Sequence, residues 1–243
     1  MHTVENLEVT GGQWRVLNVV IGDSLPKKFC DTAVFKEFIE RVFGIEVCIP
    51  CVPTMIWLVQ VYCVSGMTIE SLAEKLEKRN LKEQDEWVLR LEAQLKRARG
   101  KGKVWVWGQQ NSQNGDKAAA ASRVAKALRK CVCSLIDYGP HCPACRLASD
   151  RGCKVLFSGM WAGQQARADE RTGKKRQREV NDLDKQMLQM SERGRRWDFL
   201  PIECDTVRCV SKADLKHFTK QGAKKIFVEI KDQLEQFFLK GHI

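Results

Sequence analysis

From Cys131 to Cys153 the chain reads CVCSLIDYGPHCPACRLASDRGC, a short stretch with five cysteines and one histidine. Zinc is held by four N or S ligands in a tetrahedron, and small structural sites supply them as close pairs on turns. Cys142 and Cys145 form one such pair across Pro143 and Ala144, and Cys131 and Cys133 form the other. The expected ligand set of one zinc ion is therefore Cys131, Cys133, Cys142 and Cys145, with His141 and Cys153 as substitutes. Two other readings stay open. Thiols at a helix end pack as small hydrophobes. A redox pair at Cys142 and Cys145 is the third reading, but the βαβ surroundings of a thioredoxin-like site are missing. Cys48 and Cys51 make a second CxxC between apolar flanks, where packing is favoured over metal, and Cys204 and Cys209 belong to the first site or to another.

Charge suggests what such a segment would serve. The chain has 41 Lys+Arg and 30 Asp+Glu, a net +11. Up to Arg99 there are 13 basic and 14 acidic residues, so the remainder, with 28 against 16, carries the whole excess. That asymmetry points to a polyanion, nucleic acid first, with RNA favoured, and an acidic membrane surface second. The candidate contacts are Lys101, Lys103, Arg123, Lys126, Lys130, Lys174, Lys175, Arg176, Arg178, Arg193, Arg195 and Arg196. A solvated helix face is the bland reading of each run. Trp105, Trp107, Trp161 and Trp197 lie near these runs, and such rings stack on single-stranded bases or sit in a core.

The elements that would position these residues read as mainly α: an N-terminal helical bundle followed by a smaller basic, Cys-rich helical region. TGGQWRVLNVVIGD reads as a helix after its glycines. DTAVFKEFIERVFG reads as a second, capped by Asp31 or Thr32, with Val34, Phe35, Phe38, Ile39, Val42 and Phe43 at helical spacing. PTMIWLVQVYCVSG is apolar nearly all round and reads as a buried helix, too short and too broken by Pro50 and Pro53 to span a membrane. A long or broken helix starts at Thr68. Residues 1–99 form the bundle, 100–116 a linker holding a short strand at VWVW, and 117–243 the basic region. KKIFVEIKDQLEQFFLKG closes the chain as an amphipathic helix, with a capping box at Ser211 ahead of it.

TGGQWRVLNVVIGD, DTAVFKEFIERVF and LVQVYCVSGMTIESLAEKLEKR together resemble the helices of a retroviral, lentivirus-like matrix domain over residues 7–99. The order CVC, HCPAC, GKKRQRE is similar to the cysteine cluster and basic run of retroviral transactivators. The resemblance implies a small helical bundle that helps organise viral particles at a membrane, with self-association through the N-terminal bundle. Position 2 is His and not the Gly that carries a myristoyl group, and residues 1–99 have no basic excess, so the resemblance does not extend to membrane contact.

No phosphate-binding glycine loop, HExxH or nucleophile elbow is found, and the only histidines are His2, His141, His217 and His242. No N-terminal signal peptide is visible, so an intracellular location, cytoplasmic or nuclear, is expected. The expectation is a non-enzymatic, nucleic-acid-binding viral protein with a zinc-stabilised second half. The alternatives are a matrix or assembly protein and a thiol redox protein.

Overall fold

The structure, a computed structural model, describes residues 15–42, 56–77, 85–97, 102–107, 117–133, 154–159, 189, 197–202, 209, 211 and 218–239. Its centre is a five-stranded, all-parallel sheet in the order β2-β1-β3-β4-β5. The strands are β1 (Arg15–Gly22), β2 (Ile56–Cys63), β3 (Lys103–Trp107), β4 (Lys154–Ser158) and β5 (Asp198–Leu200). The helices are α1 (Ser24–Cys30), α2 (Ala33–Val42), α3 (Ile69–Glu77), α4 (Glu86–Arg97), α5 (Lys117–Cys133) and α6 (Lys220–Leu239).

This corrects the expectation of a mainly α protein and, with it, the matrix-like bundle. RVLNVVIG and IWLVQVYC are not helices but neighbouring parallel strands, paired residue for residue from Arg15↔Ile56 to Gly22↔Cys63. A strand covered on both faces is a continuous apolar run and loses the alternation that identifies a half-buried one. Such a run is ambiguous with a buried helix by pattern, and its β-branched content (Val19, Val20, Ile21) decides for the strand. The single sheet draws its strands from residues 1–99, from the stretch 100–116 and from residues beyond 117 alike.

Two apolar layers cover the sheet. Val19, Ile21, Val104, Val106, Val155 and Phe157 face one layer, built with Ile69, Leu72, Val88, Leu91, Leu95, Val124 and Leu128 of α3, α4 and α5. Val20, Trp105, Trp107 and Leu156 face the other, built with Phe29, Phe35 and Phe38 of α1 and α2 and Ile226, Phe227, Ile230, Leu234 and Phe238 of α6. Each fully buried side chain of this size contributes about 1.5–3 kcal/mol. Helices on both faces are what parallel strands need, because each crossover must return over the sheet.

Three helix starts follow local chemistry. Thr32 caps α2, its Oγ1 accepting from Phe35 N at 3.3 Å. Thr68 and Ser71 cap α3 reciprocally, with both N-to-Oγ bonds at 3.0 Å. Thr219 caps α6 by accepting from Gly222 N at 2.9 Å, so that helix opens at Lys220, well beyond Ser211. Among the described residues no helix is long and apolar enough to cross a membrane.

Candidate functional site

In an open parallel sheet, ligands bind outside the carboxyl ends of the strands, at the point where successive crossovers depart in opposite directions. Here that point lies between β1 and β3: the chain leaves β1 towards β2 on one side, then returns past β1 to β3. The last residues of the two strands, Gly22 and Trp107, are register partners. The residues that follow Gly22 are therefore the ones to inspect.

They are Asp23 and Ser24. Asp23 is buried, and Ser24, half-buried, is the first residue of α1. Gly22 is required at this corner because a Cβ there would overlap the Pro26 ring and the Trp107 carbonyl oxygen. Pro26 sits in the first turn of α1, where its missing N–H leaves no intrahelical bond unmade.

The end of β2 forms one wall. Val64 N donates to Gly22 O at 2.8 Å, and Met67 N donates to Val64 O at 3.1 Å, closing a turn over Val64–Met67. Gly66 in that turn has φ +76°, which a residue with a Cβ adopts only under strain, and a Cβ there would meet open space. The glycine therefore serves the backbone conformation. On the other side Trp107 packs its ring 5.6 Å from Phe29 of α1 and 5.6 Å from Phe218.

Two thiols share this edge, and their electrostatics bear on the chemistry. Burial pushes the Cys63 thiol up to about 12, and the Asp23 and Asp31 carboxylates add to the effect against the opposing Lys27 and a backbone hydrogen bond from Gly22. Burial likewise raises Cys30 well above the usual thiol range, helped by Cys63 and Asp31. Neither thiol is a thiolate near neutral pH, so neither is a ready nucleophile. The Ser24 hydroxyl is the remaining candidate.

The residues singled out from sequence lie elsewhere. Cys131 and Cys133 fall in the last turn of α5, while His141, Cys142, Cys145 and Cys153 lie outside the described residues, as do Cys48, Cys51 and Cys204. Among the described residues no group of three His, Cys, Asp or Glu is arranged to hold a metal, and Cys209 is buried and in no disulfide. Lys103 is buried in β3, with Nζ donating to Phe238 O at 2.6 Å. Arg123 on α5 is paired with Glu77 on α3, Nε to Oε1 at 3.1 Å. Lys126 is exposed on α5, and Lys130 falls within the same helix. Lys101, Lys174, Lys175, Arg176, Arg178, Arg193, Arg195 and Arg196 lie outside the described residues. Trp105, Trp107 and Trp197 are core residues.

Sequence reasoning passed over Asp23, Ser24 and Gly66. The available signal was a β-branched run ending in Gly-Asp-Ser, which places a serine at a strand's carboxyl end once the run is read as a strand.

No protein-family model and no curated protein matches the chain. Solved structures do. An inhibitor-bound aryl esterase of M. smegmatis superposes with a TM-score of 0.52 at 12% identity, over 92% of this chain and 99% of that one. A Bacteroides fragilis protein described as a candidate acylhydrolase gives 0.47 at 12%, over 93% and 88%. A GDSL-like lipase of Bacteroides thetaiotaomicron gives 0.43 at 14%, over 93% and 89%. At these identities the likeness is one of fold, and the aryl esterase carries it. The readings built on a helical bundle are corrected with the bundle. A non-enzymatic viral RNA-binding protein, a matrix protein and a thiol redox protein all give way to a parallel-sheet chain folded like an esterase.

Proposed function

We propose that this chain is a serine hydrolase that cleaves esters of small molecules, with Ser24 as nucleophile. The observation that carries the reading is the position of Ser24, two residues beyond Gly22 at the β1–β3 switch point of a parallel sheet. The fold shared with a protein named an aryl esterase supports the reaction class, and a small-molecule substrate replaces the polyanion inferred from charge.

A serine hydroxyl needs a base, and histidine is the usual one near neutral pH. Among the described residues, the only one that directly follows a histidine is Phe218, after His217, and its ring packs against Trp107 at this sheet end. His217 itself lies outside the described residues, and its role is proposed from its place in the sequence. In the reaction, the Ser24 oxygen attacks the acyl carbon while its proton passes to His217. The alcohol then leaves with that proton, and water, deprotonated by the same imidazole, releases the acid. The tetrahedral oxyanion requires donors. Gly66 offers a backbone N–H in a turn on the same edge, with no acceptor among the described residues.

The test is hydrolysis of p-nitrophenyl acetate. Ser24→Ala and His217→Ala should each lower kcat by about 10³-fold or more with far-UV dichroism unchanged. An active Ser24→Ala protein rejects the reading.

A further inference from the structure

Ser24 and Lys27 lie about one turn apart on α1. The buried side of that helix is made by Pro26, Phe29 and Cys30, and Ser24 and Lys27, each half-buried, lie together off it. Residues three apart on a helix are neighbours, with about 5–6 Å between their Cβ atoms. Cα–Cβ bonds tilt towards the helix N-terminus, so a long side chain covers the turn that precedes its own Cα. Lys27 therefore leans back over the turn that Ser24 opens.

The Lys27 charge acts on the Cys63 thiol, which ends β2 opposite Gly22. The ammonium thus lies at the same rim of the sheet as Ser24. Among the described residues it makes no ion pair, neither with Asp31, one turn on, nor with Asp23. A half-buried cation has lost part of its hydration, and here no described carboxylate replaces it. The wider field has the same sign. Lys220, Lys224 and Lys225 are exposed on the first turns of α6. That helix begins at this end of the sheet, because Phe218 packs on Trp107, and the whole chain carries +11. Such a field draws anions towards the rim.

We infer that Lys27 selects the substrate: its ammonium pairs with a carboxylate on the acid part of the ester, so that the preferred substrates are half-esters of short dicarboxylic acids. The inference rests on the hydrolase reading and deepens it. The span from Ser24 to Lys27 is about one helical turn, 5.4 Å along the axis, which is the reach of a short acyl chain. The acid part stays on the Ser24 oxygen after the alcohol has left, so a contact there holds through both halves of the reaction. A neutral acyl chain leaves the ammonium without a partner, and an anionic one supplies a charge-assisted hydrogen bond.

The experiment gives the full chain two p-nitrophenyl esters of glutaric acid, one with its second carboxyl free and one with it methylated, so that they differ by one charge. Rates are corrected for spontaneous hydrolysis. The unmodified protein should favour the free acid in kcat/KM by about tenfold, the worth of one hydrogen bond to a charged group, and mainly through KM. Lys27→Gln should abolish the preference and Lys27→Arg should keep it. Added sodium chloride should narrow the preference in the unmodified protein, by screening the pair. The same ratio of the two esters in the unmodified protein and in Lys27→Gln overturns the inference while sparing the hydrolase reading, and so does a preference of the unmodified protein for the methylated ester. Hydrolysis of neither ester removes the hydrolase reading, and the inference with it.

Discussion

Gly22 and Trp107 face each other across the carboxyl ends of β1 and β3, so close that Gly22 has no room for a Cβ against the Trp107 carbonyl oxygen. The chain turns from strand to helix within two residues of this contact and brings Ser24 to the rim of the sheet. Strand pairing and helix entry are thus coupled at one backbone position.

Gly22→Ala should therefore cost stability and activity together. The added methyl must displace backbone on one side and the Pro26 ring on the other, an overpacking penalty of about 1–3 kcal/mol. Urea denaturation reads the first effect and p-nitrophenyl acetate hydrolysis the second. A variant with an unchanged midpoint would mean that the strands are further apart at this corner.

The middle of β1 carries a different defect. Asn18 is fully buried, and neither its amide nitrogen nor its amide oxygen has a partner among the described residues. Asn18→Val replaces an unpaired amide with a β-branched residue suited to a covered strand, and should stabilise the protein by about 1–3 kcal/mol. A lower denaturation midpoint for this variant would show that the amide is paired in solution, through a buried water.

Lys103 gives the protein a pH dependence of a defined sign. Burial, with a smaller contribution from Lys154, lowers its amine from 10.5 to about 7, and the neutral amine can still donate to Phe238 O. Between about pH 7 and the ordinary lysine range the unfolded chain binds the extra proton, so this residue makes stability rise with pH across that window. Below about pH 7 the folded protein must bury the charge and the penalty is complete. Lys103→Met should flatten the rise between pH 7 and 9 in thermal melts. An equal slope in both proteins would assign the dependence to other groups.

Cys63 should be a slow thiol. With its proton held up to about 12, it should react with iodoacetamide at pH 8 at least about tenfold more slowly in the native protein than in denaturant, because only the thiolate attacks. Quantitative mass spectrometry of the Cys63 peptide gives the two rates. Rapid native labelling would reinstate this thiol as a nucleophile at the site.

The amphipathic helices were legible because one face of each meets the sheet and the other meets water. The stripe Ile226, Phe227, Ile230, Leu234, Phe237 and Phe238 is one side of α6, and Thr32 and Thr68 announce α2 and α3 by chemistry that acts within three residues. β1 and β2 were misread because a run buried on both faces lacks the alternation of a half-buried strand, so that its β-branched content alone marks it, and the strand it pairs with is distant in sequence. Trp57 of β2 pairs with Val16, and Trp105 of β3 pairs with Val20. The candidate site disappeared with the strands: Ser24 gains meaning only as the residue beyond a strand's carboxyl end. The cysteine cluster drew attention because close spacing is visible in a sequence, whereas a switch point is a property of sheet order.

The most direct test of the account is the site of covalent modification by a fluorophosphonate. Ser24 is predicted to be the single labelled residue, with one adduct by intact mass, mapped to the peptide spanning residues 22–27 and lost in Ser24→Ala in parallel with esterase activity. No adduct under conditions that label a control serine hydrolase, or an adduct on another residue that persists in an active Ser24→Ala protein, would contradict it.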